Sequence, residues 1–108
     1  MSIGLGTYVD WNSASNLGAP FTLTPPVISG TTSVGNNLSS TNGTYSSGAT
    51  ITHTYQWLRN SVAISGATAN AYTLVSDDVG KTIVCIVTAT NSYGAINVTS
   101  NSLGPITA

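Results

Sequence analysis

Few residues in this 108-residue chain could take part in chemistry. The charged set is Asp10, Arg59, Asp77, Asp78 and Lys81, and His53 and Cys85 are the single histidine and cysteine. Acid–base or nucleophilic catalysis needs a reactive group held beside a second titratable one. The adjacent carboxylates Asp77-Asp78 open the turn sequence Asp77-Asp78-Val79-Gly80, where they fit a turn cap better than a calcium loop, which would carry more carboxylates. One histidine and one cysteine give no metal-ligand spacing. Gly4-Leu5-Gly6 is followed neither by a helix nor by Lys-Ser/Thr, so it is a poor phosphate cradle. Asn37-Leu38-Ser39, Asn42-Gly43-Thr44 and Asn97-Val98-Thr99 fit the glycosylation pattern, which has meaning only on a secretory route. A Cys85–His53 pair is the remaining arrangement, and no spacing supports it. The expectation is a non-enzymatic protein without cofactor or metal.

Composition narrows the classes further. Ser, Thr, Asn and Gly make up about half of the chain, while charged residues are 5% and hydrophobic residues 41%. Val, Ile, Thr and Tyr favour strands, and the residues that favour helices are scarce. A net charge of −1 with two basic residues cannot neutralise a run of phosphates, so nucleic acid is not expected as a partner. The same scarcity argues against charge-driven binding to an anionic membrane, and no stretch approaches the ~18 apolar residues of a membrane span. A surface with so little charge has weak colloidal repulsion, which fits either life within an assembly or a neutral, well-hydrated surface. Cys85 has no partner for an intrachain disulfide. The opening Met1-Ser2-Ile3-Gly4-Leu5-Gly6 lacks the basic start and apolar run of a secretory signal. The expectation is synthesis in the host cytoplasm, with retention there or release by a route without a signal, such as assembly into a virus particle.

Two segments differ in character. Residues 1–24 carry Ile3, Leu5, Tyr8, Val9, Trp11, Leu17 and Phe21 at irregular intervals, interrupted by Gly4, Gly6, Gly18 and Pro20, and neither a period of 2 nor one of 3.6 holds for long. Such a segment cannot build its own core. It is read as an extended arm that buries these side chains on a partner, at about 2 kcal/mol for each large one, or else as a strand or loop packed on its own domain. Pro25-Pro26 forces an extended chain and ends the arm.

From residue 25 to 108, short strand-like runs alternate with turn residues. They fall at Val27–Ser29, Thr31–Val34, Asn37–Ser40, Ile51–Arg59, Val62–Ile64, Ala71–Val75, Lys81–Thr90 and Ala95–Leu103. Turns are expected at Asn42-Gly43, Asn60-Ser61, Ser65-Gly66-Ala67 and Asn91-Ser92-Tyr93-Gly94. Ile51, His53, Tyr55 and Trp57 share one strand face, and Ile83, Cys85, Val87 and Ala89 share another. About seven strands in some 80 residues is the pattern of a β-sandwich.

The stretch from Tyr55 to Asn91 resembles the immunoglobulin-like domains of bacterial and phage surface proteins. The resemblance is carried by Tyr55-Gln56-Trp57, Arg59-Asn60, Ile64, Gly66-Ala67-Thr68, Tyr72-Thr73-Leu74, Asp78, Gly80-Lys81, Ile83, Cys85 and Val87-Thr88-Ala89-Thr90-Asn91. Upstream, Val34-Gly35, Leu38 and Gly43-Thr44-Tyr45 also fit, with Tyr45 where the family often has Trp. The residues before Pro25 lie outside the match. The resemblance implies an all-β, immunoglobulin-like β-sandwich of about seven strands with an extended N-terminal arm. It implies that Trp57 is buried between the sheets beside Cys85, with Tyr72 also in the core, and that Asp78 and Gly80 shape the turn into the next strand. Antibody domains pair their cysteine and carry a tyrosine two places before it. Here Ile83 stands at that place and Cys85 has no partner, so a buried thiol acting as a small hydrophobe is expected.

Domains of this family decorate phage capsids, tails and fibres and bacterial adhesins, and they seldom catalyse. A chain running from Met1 to Ala108 suits a small virion protein located on the capsid surface. The expected function is capsid decoration, or cement, with the major capsid protein or another virion protein as partner. The arm would anchor to the capsid or to neighbouring subunits in a homo-oligomer, a trimer suiting three-fold positions. The alternatives are a carbohydrate- or cell-surface-binding module of an adhesin, with weak glycan binding through residues such as Tyr93, and a tail or fibre component.

Overall fold

Alternation of apolar and polar residues fixes the two longest strands of the computed structural model, which describes residues 18–108. β5 (Thr52–Arg59) and β8 (Ile83–Asn91) pair antiparallel along their length, from Thr52 opposite Thr90 to Arg59 opposite Ile83. Ile83, Cys85, Val87 and Ala89 all face inward and are fully buried. β6 (Val62–Ala63) joins the outer side of β5 through a turn in which Asn60 and Ser61 both have positive φ. β9 (Gly94–Thr99) returns along β8 through the Asn91–Gly94 hairpin. The first sheet therefore has the order β6-β5-β8-β9.

The second sheet is β2 (Ile28–Gly30), β3 (Asn37–Ser40) and β7 (Ala71–Thr73), in the order β2-β3-β7. Its inward side chains Ile28 and Leu38 meet Trp57, Leu74, Ile83, Cys85, Val87 and Ile106 in one core. This order of strands in two facing antiparallel sheets is that of an immunoglobulin-like sandwich. Trp57 lies directly opposite Cys85 across the β5–β8 pair. Its indole N–H donates to the Ala69 carbonyl at 2.7 Å, so the largest core side chain leaves no polar atom unpaired. Tyr72 is half-buried and packs on Trp57 with ring centroids 5.8 Å apart.

Three features differ from the strands read in the sequence. First, β1 (Phe21–Thr24) pairs antiparallel with β4 (Thr44–Ser46), prolonging the β2–β3 pair beyond Pro25-Pro26. The last four residues of the expected arm are thus hydrogen-bonded into a sheet. Pro26 is buried, and Val27 on its far side takes up the ladder again through Thr41. Second, Thr31–Val34 is not a strand but a single parallel bridge from Ser33 to Thr107. The short C-terminal segment offers only Thr107, which takes Val34 N–H and donates to the Thr32 carbonyl, both at 2.9 Å. Third, the expected strand 95–103 breaks after Thr99. Ser100 substitutes its hydroxyl for a backbone acceptor of Cys85 N–H at 2.9 Å, and pairing resumes where Leu103 meets Ile83.

Candidate partner-binding end

The two ends of the β5–β8 pair differ in chemistry. Arg59, Asp77, Asp78 and Lys81 all lie at the end where β5 finishes and β8 starts, so every charged residue among the described ones is there. Asp78 is fully buried at the close of the 3₁₀ turn Ser76–Asp78. It accepts from Arg59 Nε at 2.6 Å, Tyr72 hydroxyl at 2.7 Å and Val75 N–H at 2.9 Å. Burial alone would raise its pKa. The three donors outweigh burial and hold the carboxyl below the usual carboxylate range. Burial and the adjacent carboxylate push the Tyr72 hydroxyl upward. A carboxylate saturated by three donors binds this turn and has little capacity left for a cation, and the described residues contain no cluster suited to metal.

The opposite end carries Gly18, Ser47-Gly48 and the hairpin Asn91–Gly94. Asn91 organises it. Its Oδ1 accepts from Tyr93 N–H at 2.8 Å and Gly94 N–H at 3.1 Å, closing the hairpin. Its Nδ2 donates to the Gly18 carbonyl and to Ser47 Oγ, the latter at 2.7 Å. Gly48 N–H also donates to the Gly18 carbonyl at 3.0 Å. The Tyr93 ring lies over Gly18 so closely that a Cβ there would come within 2.6 Å of it, and a Cβ on Gly48 would fall 2.5 Å from Gly18 Cα. Two glycines let the backbone of residue 18 be gripped on both sides. The chain emerging from residues 1–17 is therefore fixed at a defined point on the sandwich.

From this root the chain enters β1, and beside it the sandwich is open. β1 and β9 are both edge strands, and no ladder joins them. The cleft between them is about 300 Å³ and is lined by Ala19, Pro20, Phe21, Ala95 and Ile96. Phe21 is 66% exposed and Leu23 61% exposed, and Tyr93 at the hairpin tip is 64% exposed. Further along, the seam closes. Asn101 Oδ1 accepts Ile28 N–H at 2.7 Å and its Nδ2 donates to the Ile28 carbonyl at 3.2 Å, so one side chain imitates a neighbouring strand. Beyond it the Ser33–Thr107 bridge completes the closure.

Of the arm residues singled out in the sequence, Phe21 stands at the mouth of this cleft. Ile3, Leu5, Tyr8, Val9, Trp11 and Leu17 lie outside the described residues. Trp57 and Cys85 are in the core, where burial pushes the Cys85 thiol upward. His53 sits opposite Ala89, four residues along β5 from the Trp57–Cys85 pair and so about 13 Å away at ~3.3 Å per residue, too far for a nucleophile–base pair. Its ring packs on Tyr45 at 5.7 Å. Asn91, Asn101 and Gly18 were not expected to matter. Asn91 lies in the stretch that carries the family resemblance, but an asparagine's reach across to another segment has no signature in local sequence. No family model, curated protein or solved structure matches the chain.

Proposed function

We propose that this protein is a non-enzymatic phage virion component, a capsid decoration or cement protein. Its N-terminal arm and the end from which it emerges face the capsid or a neighbouring subunit, and the charged end of the immunoglobulin-like domain faces outward. The observation that supports this reading best is the segregation of charge and exposed aromatic rings. The arm root, the apolar cleft and the exposed Phe21 and Tyr93 share one end, and every described charge is at the other, where the exposed apolar side chains are the aliphatic Val62, Val75 and Val79. Interfaces deplete charge at their centre and gather aromatic residues there. The phage setting rests on the resemblance between Tyr55 and Asn91.

The test is co-sedimentation with particles that lack the protein, comparing the full chain with residues 18–108. The shorter form begins at Gly18 because β1 belongs to the sheet. Stoichiometric binding that needs residues 1–17 supports decoration through the arm. Equal binding by both forms removes the arm from the interface. A second reading, a glycan-binding module, draws on the exposed ring of Tyr93 at the hairpin tip. It requires saturable glycan binding that Tyr93→Ala abolishes, with no affinity for particles.

A further inference from the structure

Among the described residues, nothing pairs with the outer edge of β9. Ser100 N–H donates inward to the Cys85 carbonyl at 2.8 Å, and the Asn91–Gly94 hairpin fixes the same parity. In an antiparallel ladder, inward and outward backbone groups alternate by residue. Gly94, Ile96 and Val98 therefore bond to β8, and the backbone groups of Ala95, Asn97 and Thr99 point away from the sheet. All three residues are exposed. Natural edges are usually protected by Lys, Pro, a bulge or a covering segment. β9 has no charged residue and no proline, and its pairing with β8 runs in unbroken register. On its inner face the half-buried Ile96 borders the open cleft, facing the exposed Phe21 across it.

We propose that this edge is a strand-acceptor site and that its occupant is residues Ile3–Trp11 of the same chain, added antiparallel to β9. Three observations select that occupant. Residue 17 joins Gly18, which touches Tyr93 in the hairpin from which β9 departs, so the segment ends beside the acceptor. β9 leads away from that hairpin, so a segment whose C-terminal end arrives there runs antiparallel to it. The connector Asn12–Leu17 is six residues long, spans up to about 20 Å when extended and is rich in the Asn and Ser of turns.

The side chains match as well. No period runs through the whole of residues 1–24, but within Ile3–Trp11 positions 3, 5, 7, 9 and 11 are Ile, Leu, Thr, Val and Trp, and positions 4, 6, 8 and 10 are Gly, Gly, Tyr and Asp. Added to β9, the first set covers the apolar cleft, and the second meets water, where Asp10 keeps its charge hydrated. Tethering makes the pairing intramolecular, at an effective concentration that a second copy reaches only in concentrated solution. The inference concerns the free protein and stands whether or not the chain decorates a particle. If it does, the particle competes with β9 for the arm.

The experiment is amide hydrogen exchange by NMR on the full chain, with sedimentation equilibrium on the same sample. The amides of Ala95, Asn97 and Thr99 are expected to be protected in a monomer. In the double variant Leu5→Asp/Val9→Asp these three lose protection by about tenfold or more, while those of Ile96, Val98 and Cys85 are unchanged and report an intact sheet. Free exchange of all three amides in the full chain overturns the proposal. So does protection that survives the double variant, or protection that appears only as the protein dimerises, which would make a second copy the occupant.

Discussion

The charged end and the arm end of this sandwich solve the same problem in opposite ways. Each has to finish strands whose inner faces are apolar. At the charged end, Asp78 gathers three donors in a buried site, and Thr107, Ile106 and Leu103 bridge across to neighbouring segments. Local polar groups complete that end. At the arm end, Asn91, Gly48 and Tyr93 hold the backbone of Gly18, but among the described residues no ladder joins β1 to β9, and Phe21 and Leu23 are exposed. The polar contacts there hold the chain in place without covering the apolar surface. The charged end also keeps Val62, Val75 and Val79 exposed, but among the described residues the unclosed seam between sheets is at the arm end. What the two ends teach is that polar contacts can fix a chain's position without covering the apolar surface beside it.

The contrast can be broken most severely at Asp78. Asp78→Asn weakens three buried hydrogen bonds at once and should cost about 3 kcal/mol, read from urea unfolding followed by tryptophan fluorescence. Because the folded pKa of Asp78 is lowered, its contribution is present above the ordinary carboxylate range and is lost as pH falls through the folded value. Acid unfolding of the wild type should therefore steepen below about pH 4, and Asp78→Asn should flatten that limb. A variant with an unchanged acid limb would remove Asp78 from the account of the closed end.

Asn101→Ala opens the seam from its closed side. It strips the Ile28 N–H and C=O of their partner and should cost about 2 kcal/mol by the same measurement. Gly18→Ala, at φ +95 under the Tyr93 ring, should cost about 1 kcal/mol and displace that ring, visible as a shift of the Tyr93 resonances. In residues 18–108 alone, which lack the arm, Phe21→Glu should change stability by less than about 0.5 kcal/mol, since the side chain is mostly in water. A large loss there would mean that the open end is a structural face.

How much of this was legible in the sequence follows from the range of each interaction. The β5 and β8 faces and the Asn91–Gly94 hairpin are written in period-2 patterning and turn residues, the burial of Trp57 beside Cys85 was implied by the family resemblance, and all are in the structure. The β1–β4 pair was missed because β1 is a four-residue run, FTLT, between prolines, and its partner is a three-residue run that patterning alone cannot separate from a loop. The break of the last strand at Ser100 was missed because a hydroxyl replacing a backbone acceptor leaves the alternation intact. Among the candidate site residues, Phe21 stands out in the sequence as a large apolar side chain without a periodic partner, and the structure places it exposed at the cleft. The clamp on Gly18 was not, since it depends on Asn91 reaching a residue 73 positions away.

The central claim, that the uncharged end is the one that meets a partner, is tested most directly by adding one negative charge to each end. Phe21→Glu and Lys81→Glu should both fold, and their affinity for particles lacking the protein can be compared by co-sedimentation. A loss of at least about tenfold for Phe21→Glu, roughly 1.4 kcal/mol, with wild-type binding by Lys81→Glu, is the predicted result. Wild-type binding by Phe21→Glu, or a loss confined to Lys81→Glu, would contradict it.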